Sequence, residues 1–93
     1  MIRHVVIWTF RPGKDEEAAR FLRELKALDG VIPQIRHCEV GVKTGVEETD
    51  AILIVDFDSM EDLNAYKTDP RHVAVAALND PIRIGRTAID YEF

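Results

Sequence analysis

The stretch FDSMEDLNAYKTDPRHV, Phe57–Val73, decides the fold. It reads as the end of a strand, a capped helical turn, and a second helix opened by a proline. Ser59 stands where an N-cap belongs, and Asp62 follows three residues on, the spacing of a capping box. Asp69-Pro70 repeats the start signal. The aspartate caps, and proline suits the first helical position because its missing N–H has no helical partner there. Two short helices are expected, over about Met60–Lys67 and Pro70–Leu78, with Tyr66 and His72 bracketing their junction.

Working upstream, Ala51–Asp58 (AILIVDFD) is an apolar strand, and Lys43–Asp50 is a polar loop before it. Ile35–Val42 is another strand, entered past Pro33. From Lys14 to Asp29 the apolar residues fall at Ala18, Phe21, Leu22, Leu25 and Leu28, a helical stripe that Gly30 stops. Ile2–Phe10 alternates: Ile2, His4, Val6, Trp8 and Phe10 face one way, Arg3, Val5, Ile7 and Thr9 the other. Pro12-Gly13 ends that strand. Downstream, Asn79-Asp80-Pro81 breaks the chain, and Arg83–Phe93 is the last strand, with Gly85 a candidate bulge.

The order is β-α-β-β-α-β, the ferredoxin-like α+β arrangement, with a four-stranded antiparallel sheet and helices on one face. Both faces of that sheet are apolar. Ile52 and Ile54 alternate against Ala51, Leu53, Val55 and Phe57; Ile89 and Tyr91 alternate against Ala88 and Asp90. One domain has helices for only one face. The open face therefore predicts a homodimer joined sheet to sheet, closing a dimeric α/β barrel.

Composition narrows the function classes. The 93 residues fit a single domain spanning 1–93, and the net charge of -5 argues against nucleic acid or an anionic membrane as partner. No apolar run approaches the roughly 18 residues of a membrane span. Met1-Ile2-Arg3-His4 enters a strand directly, without the layout of a signal peptide. Cys38 is alone, so no internal disulfide or cysteine zinc site is expected, and a cytoplasmic setting follows. There is no Gly-rich phosphate loop, no metal-ligand spacing and no serine nucleophile elbow. Asp56 and Asp58 share one side of their strand, a pattern read as strand-end solvation ahead of a cation site. His37 reads as a surface residue.

An ordered set of motifs carries a resemblance. These are Arg3-His4-Val5-Val6, Ile32-Pro33, Glu39-Val40-Gly41, Asp56-Phe57-Asp58-Ser59, Asp62-Leu63, Ala65-Tyr66, His72-Val73 and Asp90-Tyr91. Over nearly its whole length the chain resembles the stress-responsive dimeric α/β-barrel (Dabb) family. The resemblance implies a ferredoxin-like monomer that dimerises through its sheets and works without a cofactor. It also brings in a stress-response role for some plant members and polyketide cyclisation for another, olivetolic acid cyclase. His4, Tyr66 and His72 match that cyclase's functional positions. Its first-helix tyrosine is replaced here by Leu25 and its third-strand histidine by Ala51.

A candidate site follows. With His4 facing the helices, His4, Val6 and Trp8 line a space that Phe21, Leu22 and Leu25 approach from the first helix. Ala51 and Leu53 come from the third strand, and Arg86 and Ala88 from the fourth. Tyr66 and His72 lie at its rim. A small organic ligand is the expected partner, because apolar walls with a few polar groups are the usual form of such a site. In catalysis His4 or His72 serves as general base, Tyr66 donates a hydrogen bond to a carbonyl or enolate oxygen, and Arg86 holds a negative charge. The reaction class is then cofactor-free cyclase, isomerase or lyase chemistry beside a carbonyl. The structural alternatives are that His4 is a satisfied core histidine, that Tyr66 and His72 bond each other, and that Arg86 pairs with Asp90 or a surface carboxylate. On those readings the protein is a stress-response dimer without turnover.

Overall fold

Each strand of the sheet sorts its side chains by its period of two, and that sorting sets where the helices pack. The computed structural model describes residues 1–93 as β1 (Ile2–Phe10), α1 (Asp15–Lys26), β2 (His37–Val42), β3 (Ala51–Phe57), α2 (Met60–Thr68), α3 (Pro70–Ala77) and β4 (Arg83–Glu92). The sheet order is β2-β3-β1-β4, with every pairing antiparallel. This is the ferredoxin-like topology, with two helices in its second helical connection.

The helix side of the sheet holds the core. Val6, Leu53, Val55 and Phe57 pack there against Phe21, Leu25, Leu63 and Tyr66, all buried. The other side carries Val5, Ile7, Ile52 and Ile54, half-buried, with Ile89 and Tyr91 exposed at 61% and 43%. No helix covers this side. Asp56 lies on it and is nevertheless buried, because Arg3 grips it with two hydrogen bonds of 2.8 and 2.9 Å. The same guanidinium sits 4.5 Å from the centroid of the Phe93 ring. Asp58 pairs with Arg36 at 2.8 Å. Each carboxylate of that pair is thus matched by its own arginine, which accounts for them more fully than solvation of a strand end.

The start signals of the deciding stretch hold. The Ser59 hydroxyl accepts from the Asp62 amide at 3.2 Å, and the Asp69 carboxylate accepts from the Arg71 amide at 2.8 Å. Arg71 also forks onto Asp69 and holds its carboxyl down at about 2, so that cap stays ionised. β3, α2 and α3 end within one residue of expectation, at Phe57, Thr68 and Ala77, and boundaries of α1, β2 and β4 shift as well. α1 closes at Lys26, where tighter bonds from Leu28 and Asp29 to carbonyls three residues back end the helix before Gly30 turns the chain at φ +89°. β2 starts at His37, because the Ile35 amide is spent on the Ile32 carbonyl. β4 ends at Glu92. The bulge is present: Thr9 faces Gly85 while Phe10 faces Arg83, leaving Ile84 as the extra residue.

Phe57 is fully enclosed whereas Ser59 contributes one capping bond, so the two positions differ in cost. Phe57→Ala should destabilise by about 3–5 kcal/mol. Ser59→Ala should cost about 1 kcal/mol. Urea denaturation of both variants checks this, and equal losses would contradict the packing described.

Candidate functional site

Antiparallel pairing brings three polar residues of the helix side together. Within the sheet, His4 stands opposite Asp90 and Trp8 opposite Arg86. α3 begins at Pro70, which delivers its third residue, His72, over the same region. Between sheet and helices lies a cavity of about 260 Å³. Val6, Trp8, Phe21, Leu25 and Leu53 form its apolar walls, and His4, His72 and Arg86 are among its polar groups. The aromatic walls therefore leave space rather than fill it, although Trp8 and Phe21 meet edge-on at 5.2 Å between centroids.

His4 is buried, and its Nδ1 lies 2.5 Å from Oδ1 of Asp90. Burial pushes the Asp90 carboxyl up, but the His4 bond and Lys67 outweigh it and lower the net value, so the group is ionised and can only accept. Nδ1 of His4 therefore carries the proton and donates it to Asp90. Burial lowers the His4 pKa more than the carboxylate raises it, and Lys67 and Arg86 add to the lowering. The neutral ring keeps Nε2 as its basic nitrogen. His4 is thus a satisfied buried histidine and a candidate base at once.

His72 is built the same way. Its Nδ1 donates to the Lys67 carbonyl at 3.3 Å, leaving Nε2 free of that bond. Burial lowers its pKa, assisted by the Arg86 charge and by the cost of protonating two neighbouring rings, His4 and His72, together. Tyr66 does not bond to His72. The two rings pack at 4.2 Å between centroids, and Tyr66 rests on Phe57 at 5.1 Å. Tyr66 is buried behind His72 and is absent from the cavity lining, so its expected place at the rim is corrected. Burial raises its hydroxyl pKa, which keeps it protonated.

Other expectations shift as well. Arg86 does not pair with Asp90, whose carboxylate is engaged by His4 and by Lys67 at 3.3 Å. Leu22 and Ala51 line a different, larger concavity of about 660 Å³, at the far end of β1. That concavity holds no histidine. Its Asp50 is engaged by Lys43 at 2.7 Å and by the Phe10 amide at 2.7 Å, so the chemistry points to the smaller cavity. Lys67, Asn79 and Arg83 also line the smaller cavity, and no local signal in the sequence marks them as site residues. Asn79 reads locally as part of a chain break; only the fold turns it inward. No group of three or more His, Cys, Asp or Glu converges as metal ligands do.

The lowered histidine values have a consequence for stability. In the unfolded chain both rings take up protons near pH 6.5, while the folded chain resists them to lower pH. Below that pH the unfolded state binds more protons, so acidification destabilises the fold. The melting temperature should fall from about pH 7 to about pH 5, and the His4→Gln/His72→Gln double variant should flatten that slope. A melting temperature that rises over this interval would contradict the assignment.

Comparison with known proteins agrees with this architecture. A dimeric protein of unknown function with a ferredoxin-like fold from Bacteroides fragilis is 31% identical, with a TM-score of 0.85 over 99% of this chain and 95% of that one. A Dabb family protein from Mesorhizobium loti is 25% identical, with a TM-score of 0.81 over 99% and 95%. A hydroxynitrile lyase from Passiflora edulis has the same fold at 14% identity, with a TM-score of 0.85 over 97% and 90%. Among curated proteins no match is found. The stress-responsive A/B barrel domain family matches residues 2–93, and the chain belongs to that Dabb family.

Proposed function

We propose that this Dabb protein binds a small organic molecule in the cavity lined by His4 and His72. The observation that carries this is the cavity itself, apolar-walled and fitted with two neutral imidazoles whose Nδ1 atoms are tied down. Its volume lies just below the usual range for drug-sized ligands, which suits a compact molecule. A second copy of the chain completes the particle through the open sheet face. Ile89 and Tyr91 stay exposed there, and the Bacteroides fragilis relative is described as dimeric.

Proton transfer beside a carbonyl is the second reading, favoured by the His4–Asp90 pair. A base held in one tautomer and orientation by a carboxylate is the arrangement that general-base catalysis uses. Nε2 of His4 removes a proton from the carbon next to a carbonyl, and the resulting His4 imidazolium, held by Asp90, returns that proton to the product carbon or to a leaving group. Such chemistry fits a cofactor-independent lyase, cyclase or isomerase. The Passiflora edulis neighbour is described as a lyase, so the fold accommodates that class. Tyr66 acts by supporting the His72 ring.

Ligand titration, kinetics and sedimentation test these readings. Titrating small carbonyl compounds into ¹⁵N-labelled protein should move the resonances of residues lining the cavity. Where turnover is found, His4→Gln should lower kcat by about a hundredfold or more while the fold persists. Binding without turnover supports the ligand-binding reading alone, and a stress role without a ligand predicts no titration at all. Sedimentation should show a dimer at micromolar concentration. Ile89→Asp, which places a charge on the open face, should weaken association at least about tenfold. A monomeric wild-type protein would overturn the assembly.

A further inference from the structure

Two buried polar atoms find no partner in the protein: the indole Nε1 of Trp8 and the side-chain Oδ1 of Asn79. Both residues are 4% exposed, and both line the His4–His72 cavity. An unmatched buried donor or acceptor is costly, so such a pair at one cavity marks where a ligand supplies the missing partner. The indole N–H only donates, and an amide oxygen only accepts. A hydroxyl group answers both, because it accepts from one and donates to the other.

The rim adds a charge preference. Lys67 is engaged by Asp90, and Arg83 reaches Asp80 at 3.7 Å, the one carboxylate of the lining. Arg86 pairs with no carboxylate. It is exposed, it stands opposite Trp8 in the β1–β4 register, and its charge lowers the pKa of both cavity histidines. An unmatched guanidinium beside two neutral rings presents a forked donor to an incoming carboxylate.

We infer that the cavity selects a small hydroxylated carboxylate, its carboxylate on Arg86 at the mouth and its hydroxyl between Trp8 and Asn79. The body between these ends is apolar and packs on Val6, Phe21 and Leu53. Trp8 and Arg86 stand opposite each other in the β1–β4 register and line the same cavity, so one compact molecule can meet both side chains. This rests on the ligand-binding reading above and adds the chemistry of the ligand.

The chain has one tryptophan, so its indole N–H gives a single NMR resonance. The probes are 4-hydroxybenzoate, its neutral amide 4-hydroxybenzamide, and benzoate, each titrated against wild-type protein and Arg86→Gln. The hydroxy acid should shift the indole resonance and bind about tenfold tighter than the amide, and Arg86→Gln should erase that margin. Benzoate should bind more weakly and move the indole less. If amide and acid bind equally, with the indole shifting, the cavity is a ligand site but the anion preference is wrong. If no probe perturbs the indole at millimolar concentration, both the preference and the ligand-binding reading fall. Arg86 is exposed and unpaired, so its variant should keep the wild-type fold, which the remaining amide spectrum verifies.

Discussion

β1 is hydrogen-bonded along both edges, to β3 on one side and β4 on the other, and this double pairing constrains everything else. A strand fixed in two registers cannot slip without moving its side chains to the wrong face. The register sends His4, Val6 and Trp8 toward the helices and Arg3, Val5 and Ile7 toward the open face. The cavity and the open face are thus two consequences of one pairing. His4 meets Asp90 because β4 is held in register, and the bulge at Ile84 lies beyond Trp8, where it leaves that register intact.

The two faces are stabilised by different means. The helix side is closed by apolar burial, with Phe57, Leu63 and Tyr66 at its centre. The open side places a buried carboxylate, Asp56, under Arg3, whose guanidinium also lies over Phe93. Removing Arg3 alone would leave that charge unmatched, which is far worse than never having had the pair. The surrounding isoleucines expose apolar surface that a second sheet can cover. The core also isolates Cys38, whose thiol is pushed up to about 11 by burial and stays protonated.

Most of the architecture is legible in the sequence because it depends on local signals. Alternation along Ile2–Phe10, the stripe from Ala18 to Leu28, and the caps at Ser59 and Asp69 each act within a few residues. The boundaries that shifted, at Lys26 and His37, depend on which carbonyl a turn amide finds, and composition does not encode that choice. The apolar walls of the cavity were also legible, since strand period and helix stripe both point inward. Its polar chemistry was less so. Tyr66 sits behind His72 because the α2–α3 junction folds one ring onto the other, and Asp90 turns to His4 rather than Arg86 because the register sets them opposite. Asn79 reaches the site through the return of the chain from α3 to β4, and Lys67 through the packing of the end of α2 against Asp90 of β4.

The central claim is that His4 and His72 are neutral rings in one tautomer, each with Nδ1 occupied and Nε2 basic, at the wall of a cavity. Nitrogen NMR of the imidazoles across a pH titration reads the tautomer and the pKa of each ring directly. Both histidines should show a protonated Nδ1 near neutral pH, and both should titrate below the ordinary value. A proton on Nε2 of His4, or a pKa raised above the ordinary histidine value, would contradict the account.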